Sequence, residues 1–262
     1  MLPPDPLPQP TAGSDAELIA ALLRGNARKR FLAAYGIRHE LLTLASASQS
    51  VASVKVAWWY DELQRAGHGG ARHPLTEVLA GTDPNKRGDW SVFEEYLVLV
   101  ESWLRGEQPV NLEECRLALF RQYAPSLYWC VDVASDVRAE TTGTVHRIAI
   151  AAGFADHVVA LSSNSTPALM TLPTEWTDSN WPQDSGSRAE LIRRCVDAGL
   201  RELTFCAAAP DIEATSAVTA ALSRGKLHAA QRNRSASRFM QLFRAWRSVR
   251  RAHSRTRISD DY

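Results

Sequence analysis

The sequence predicts an all-α protein built as a single helical bundle, and three observations carry that expectation. Apolar residues recur at helical spacing in segment after segment. Pairs of capping-box type stand at the start of several of these segments. No alternating apolar and polar run bounded by turn residues is long enough to mark a strand. With 262 residues the chain can bury a sizeable core, and 45% hydrophobic against 23% charged residues is an ordinary globular composition. A net charge of +1 singles out no class of partner.

The first ten residues hold five prolines, with neither a basic start nor an apolar stretch. They read as the beginning of an extended, disordered tail over residues 1–13, not as a secretion signal. Ser14 and Glu17 form a capping box ahead of Leu18, Ile19, Leu22 and Leu23. Residues 30–44 and 51–63 are helical in length and apolar on more than one side, which suits the middle of a bundle. Trp58 and Trp59 are expected in the core with Val54, Val56 and Leu63; the alternative is that one of them lines an apolar pocket. Ser91 with Glu94 marks a further helix, whose Phe93, Tyr96, Leu97, Val100, Trp103 and Leu104 make one apolar stripe that Gly106 stops. Asn111 with Glu114 and Ser187 with Glu190 mark two more, the second running through Leu191, Cys195, Leu200 and Leu203.

Residues 67–70, 81–88 and 174–186 read as loops. Helices flank each loop closely and no repeat is visible, so one domain is expected over residues 14–252, with a polar tail at 253–262. Cys115, Cys130, Cys195 and Cys206 form no C-x-x-C and are expected to be buried free thiols in a reducing compartment. No stretch reads as the roughly 20 apolar residues of a membrane span. The expected location is cytoplasmic, with at most a surface association with membranes.

From Ala214 to Ser259 there is no Asp or Glu, while eleven Lys and Arg residues fall in the same stretch. Phe239, Phe243 and Trp246 accompany Arg238, Arg244, Arg247, Arg250 and Arg251 at helical spacing, the pattern of a basic amphipathic helix. Three readings stay open: the aromatic stripe packs on the bundle, the helix lies on an anionic membrane surface, or it meets an acidic protein. No nucleic-acid module is visible, and none is expected as a partner.

Several blocks together resemble the squalene/phytoene synthase family. Arg30-Phe-Leu-Ala-Ala-Tyr-Gly-Ile-Arg-His-Glu-Leu-Leu42 is similar to its first signature helix. Val54-Lys-Val-Ala-Trp-Trp-Tyr-Asp-Glu-Leu63, followed by His73-Pro74, is similar to its Trp-Trp-x-Asp-Glu-Leu … His-Pro signature. Ser126-Leu-Tyr-Trp129, Ala151-Ala-Gly-Phe-Ala155 through Thr171-Leu-Pro173, and Trp246-Arg247 are weaker matches. The resemblance implies a helical bundle of the isoprenoid synthase type with an apolar cavity. Active members join two prenyl diphosphates, using two Asp-x-x-x-Asp motifs on facing helices to hold Mg²⁺ ions that help the diphosphate leave.

Leu42 and Ser46 occupy the first pair of aspartate positions, and Ala160 and Asn164 the second. No Asp or Glu lies between Leu41 and Tyr60, or between His157 and Pro173. The resemblance therefore implies the scaffold without the metal site and without a catalytic residue that can be assigned. One branch of the family, which serves the assembly of respiratory complex I and also lacks full aspartate motifs, is a precedent for an accessory role. The chain's one Asp-x-x-x-Asp, Asp132 with Asp136, lies elsewhere; it is the candidate for a rebuilt site in a prenyl diphosphate transferase, and Mg²⁺ is expected only in that case. His39, Glu40 and the neighbouring pair Asp156 and His157 are candidates to line the cavity beside Leu42, Ser46, Ala160 and Asn164. Arg28 and Arg30 are candidates to hold a phosphate. An isoprenoid or other apolar molecule is the expected ligand.

Overall fold

The computed structural model describes residues 7–12, 14–82, 90–130, 138–163, 171–177, 185–206, 214–232, 237, 240–241 and 243–248. Among them every regular element is helical, as expected. The chain divides into two compact units, Met1–Glu107 with Ala124–Val133, and Gln108–Tyr123 with Ala134–Tyr262.

The first unit contains α1 (Asp15–Leu22), α2 (Gly25–Leu44), α3 (Gln49–Gly67), α4 (Pro74–Thr82), α5 (Ser91–Leu104) and the last turn of α6 (Leu112–Tyr128). The Ser14 side chain accepts from the Glu17 N–H at 3.2 Å, so the first capping box forms and sets the start of α1. α2 packs against α1, α3, α4 and α5, which is why its apolar residues are not confined to one face. Phe31, Ile37 and Leu41 of α2 are buried, and so are Phe93, Tyr96, Leu97, Val100 and Trp103 of α5. Each side chain of this kind contributes about 1.5–3 kcal/mol on burial. Gly36 lets α2 approach its neighbours closely: a Cβ there would meet Leu75 Cδ1 and Pro8 Cγ, both at 2.8 Å. Pro8 therefore lies on α2, a departure from the disordered tail expected over residues 1–13.

Other local expectations are corrected. α5 begins at Ser91 with Trp90 as its cap, so Ser91 is inside the helix and not its N-cap. Trp58 is 42% exposed and Val54 72%, whereas Trp59 is buried; α3 turns only one of the two tryptophans inward. Residues 83–88 of the expected loop, Asp132 and Asp136 lie outside the described residues.

The second unit contains the first part of α6, α7 (Arg138–Ser162), a 3-10 turn at Thr174–Trp176, α8 (Ser185–Cys206), α9 (Ala214–Gln231) and helical residues 240–241 and 243–248. α7 packs against both α8 and α9, which also pack on each other. Phe154, Val158, Leu191, Cys195, Leu203 and Leu227 belong to its core. Gly143–Ser162 in α7 is long and apolar enough to cross a membrane by length and composition, which corrects the reading that no stretch is; 67% of that window is buried in the fold, as befits a central core helix. The Asn111 box forms, with Glu114 N–H donating to Asn111 Oδ1 at 3.0 Å and Val110 N–H to Glu114 Oε2 at 2.8 Å. α8 starts at Ser185, two residues before the expected Ser187 cap, and Glu190 instead pairs with Arg193 and Arg194.

Gly153 shows why the Gly-Phe-Ala block is needed. A Cβ there would sit 2.6 Å from Leu119 Cδ2 and 3.1 Å from Leu119 Cβ, so α6 and α7 touch through a missing side chain. Gly153→Ala is expected to destabilise the chain by about 1–3 kcal/mol despite alanine's better helix propensity, because Leu119 Cβ is fixed to the backbone and cannot swing away. A urea titration against the unsubstituted chain measures this, and a neutral or stabilising result would contradict the packing argument.

Candidate functional site

The signature block around Trp59 and Glu62 carries a dense set of hydrogen bonds in the first unit. Glu62 is fully buried on α3. Its Oε1 accepts the backbone N–H groups of Arg72 and His73, each at 2.8 Å, and the Thr76 hydroxyl; its Oε2 accepts from Arg65 Nη2 at 3.0 Å. The carboxylate thus binds the open N–H groups at the start of α4, where a negative charge is also favoured by the helix dipole. Burial alone pushes the Glu62 carboxyl up, but the bonds from His73, Thr76, Arg72 and Arg65 outweigh it and hold the group at about 2. The His73 ring lies 4.9 Å from the Trp59 ring. This arrangement fixes one loop to two helices and is a structural clamp.

Arg28 and Arg30 lie near the start of α2. Arg28 is exposed and Arg30 is buried, at positions about 200° apart on the helix. His39 and Glu40 are both exposed near the other end of α2. The His39 ring stacks on Tyr35 at 6.1 Å, and Glu40 Oε2 faces His73 Nε2 at 3.6 Å. Leu42 is half-buried in the last turn. Ser46 lies past the helix end, beyond the Ala45 cap, so Leu42 and Ser46 do not share a helix face. The hydroxyls here are turned to their own backbone: Thr43 donates to Glu40 O at 2.6 Å and Ser46 to Thr43 O at 2.9 Å.

The last turns of α7 follow the same pattern. Ala160 is half-buried, Ser162 donates to Val158 O at 2.7 Å, and Ser163 to Val159 O at 3.0 Å. Asn164 lies outside the described residues. Mg²⁺ prefers several charged oxygen ligands in a tight octahedron. The described side chains at these positions are apolar groups and hydroxyls, and they do not fit such an ion. Among the described residues no group of three or more His, Cys, Asp or Glu is placed to hold a metal.

Asp156 and His157 on α7 point to different surroundings. His157 is buried and hydrogen-bonded to the Thr171 hydroxyl; burial pulls its imidazole down to about 4, against a smaller opposing pull from Asp156, so the ring is neutral near pH 7. Asp156 accepts from the Tyr123 hydroxyl on α6 and from Lys226 Nζ on α9, each at 2.7 Å. The pair is therefore not an acid–base couple. The Tyr123–Asp156–Lys226 group was not visible in the sequence, because its members are 33 and 70 residues apart and each sits in an unremarkable helical run.

The remaining signature blocks are also devices of the scaffold. The segment after Leu172-Pro173 is tied to the start of α6 by Thr174 N–H to Pro109 O at 2.8 Å, and Glu175 Oε1 accepts the Leu112 N–H at 3.1 Å. Trp129 packs on Trp90, with ring centres 4.6 Å apart.

This helix order defines an all-α fold of the isoprenoid synthase type. Two solved structures stand for it. One is a dehydrosqualene synthase in complex with ligand, similar over 93% of both chains with a TM-score of 0.63 and 10% identity. The other is squalene synthase HpnC from Alicyclobacillus acidocaldarius, similar over 82% of this chain and 87% of that one, with a TM-score of 0.57 and 15% identity. No family model matches the chain, and no curated protein sequence matches it. At such identities the likeness is one of fold.

Proposed function

We propose that this chain is a non-catalytic relative of the squalene and dehydrosqualene synthases, a cytoplasmic accessory or assembly protein that keeps the scaffold and binds an isoprenoid or similar apolar molecule. The observation that carries this reading is the chemistry at the ends of α2 and α7. Leu42, Ser46 and Ala160 stand where the resemblance places carboxylates, and the neighbouring hydroxyls donate to their own helices. Expelling a diphosphate requires its growing negative charge to be met by cations, and a hard cation is held by carboxylates. The blocks of the signature that remain, at Glu62, Gly153 and Leu172-Pro173, are those that hold helices together.

The test is direct. The full-length protein with Mg²⁺ and farnesyl or geranylgeranyl diphosphate is expected to release no pyrophosphate above a protein-free control, while retaining binding of farnesol as an apolar prenyl probe. Enzyme-dependent release that disappears in Asp132→Asn and Asp136→Asn would overturn the proposal in favour of a prenyl diphosphate transferase with a rebuilt metal site. Failure to bind farnesol as well would leave the fold without its proposed ligand class and would also count against it.

A further inference from the structure

The basic region at the C-terminal end is not one helix. α9 ends at Gln231, and a separate helical stretch covers residues 240–241 and 243–248. One side of this second stretch is anchored on the unit. Ala245 is fully buried, and Arg244 crosses α9 so closely that its Nη1 lies 3.0 Å from where a Cβ on Gly225 would be.

The opposite side presents Met240, Phe243 and Trp246, exposed by 44%, 44% and 46%. Phe243 and Trp246 sit side by side, with ring centres 6.1 Å apart. At about 100° per residue, these three and Arg247 fall within an arc of roughly 120°, turned away from Ala245. Arg244 and Arg247 are both exposed. Of the three readings open for this region, close packing of the aromatic stripe on the bundle is the one least favoured by Phe243 and Trp246, each left about half exposed. Phe239, Arg238, Arg250 and Arg251 lie outside the described residues.

We infer that this face is an interfacial anchor for an anionic lipid surface. Three large apolar side chains grouped on one face are costly to leave in water and gain by entering the boundary between headgroups and acyl chains. Trp is well suited to that layer because its ring is apolar and its N–H is polar. The flanking sequence fits a negative surface: from Ala214 to Ser259 it holds eleven Lys and Arg residues and no Asp or Glu, of which Lys226 is paired with Asp156 and Arg244 and Arg247 are exposed on the stretch itself. A nucleic acid would also attract the arginines, but Met240 beside two rings favours an apolar medium over stacked bases. An anchor of this kind is independent of whether the chain has catalytic activity.

Co-sedimentation of the full-length protein with vesicles tests the inference. Binding is expected to phosphatidylcholine vesicles containing about one third phosphatidylserine, and not to phosphatidylcholine alone. Phe243→Ala with Trp246→Ala is expected to weaken partitioning by about tenfold or more. Arg247→Gln is expected to weaken it about fivefold and to reduce its salt sensitivity. Met240→Ser, which leaves both rings in place, gives a smaller loss in the same direction. Val98→Ala, at an exposed apolar position on α5, leaves binding unchanged. All of these positions are exposed, and circular dichroism checks that each variant is folded. Equal binding to both kinds of vesicle, or unaltered binding by both the double variant and Met240→Ser, overturns the inference. So does retention of single-stranded RNA without vesicle binding.

Discussion

Glu62→Ala is expected to cost about 3–5 kcal/mol of folding stability, because it removes a fully buried, hydrogen-bonded carboxylate. Alanine would leave the Arg72 and His73 N–H groups, the Thr76 hydroxyl and the Arg65 guanidinium without their acceptor. An orphaned buried donor costs about 1–3 kcal/mol, and the start of α4 would lose its cap as well. Glu62→Gln keeps one carbonyl oxygen and should cost roughly half as much. The clamp also titrates. The carboxyl is held at about 2 in the folded chain against an ordinary 4.5, so its contribution is complete above pH 4.5 and is lost as the pH falls towards 2. A shift of that size corresponds to about 3 kcal/mol. Urea midpoints measured across this range should fall steeply for the unsubstituted chain and less steeply for Glu62→Gln. Parallel curves would show that the clamp does not act as described.

His157 gives a second acid-sensitive step, in the other unit and at higher pH. Its imidazole is held at about 4 by burial, against an ordinary 6.5, so the unfolded chain takes up a proton that the folded chain refuses. The associated stability is complete above pH 6.5 and is lost as the pH falls through about 4, a change of about 3 kcal/mol. His157→Gln removes the titration and can still bond to the Thr171 hydroxyl. It is expected to lower stability at pH 7 modestly while flattening the profile between pH 6.5 and 4. A profile as steep as that of the unsubstituted chain would assign the acid response to another group.

The two windows bear on what the sequence could reveal. Helix positions were legible because periodicity and capping are local: Ser14 with Glu17 and Asn111 with Glu114 both form their bonds. Ser91 and Ser187 carried the same local signal and failed, because the helices begin one and three positions further back than those caps would set. Trp58 and Trp59 were indistinguishable by composition, and only the packing of α3 decides that Trp59 goes inside. The missing carboxylates at Leu42, Ser46 and Ala160 were readable as identities. That the Ser46 hydroxyl turns back to its own chain, and that Ser46 lies past the end of α2, was not. Tyr123, Asp156 and Lys226 meet only because three helices of one unit converge, and no spacing rule reaches across 33 or 70 residues. Glu62 illustrates the opposite case: its block was noticed for a resemblance to enzymes, yet its bonds explain it as a fastening.

The four free cysteines have a practical consequence. All are buried, Cys130 in the first unit and Cys115, Cys195 and Cys206 in the second. Burial also pushes the thiols of Cys195 and Cys206 up to about 12 and 11, and that of Cys115 higher still, so little reactive thiolate exists in the folded chain. Such thiols react with an alkylating reagent only when their surroundings open. The chain therefore carries its own timekeepers: the order in which these four sulfurs become modified, read by peptide mass, reports which half loosens first without any label having to be introduced.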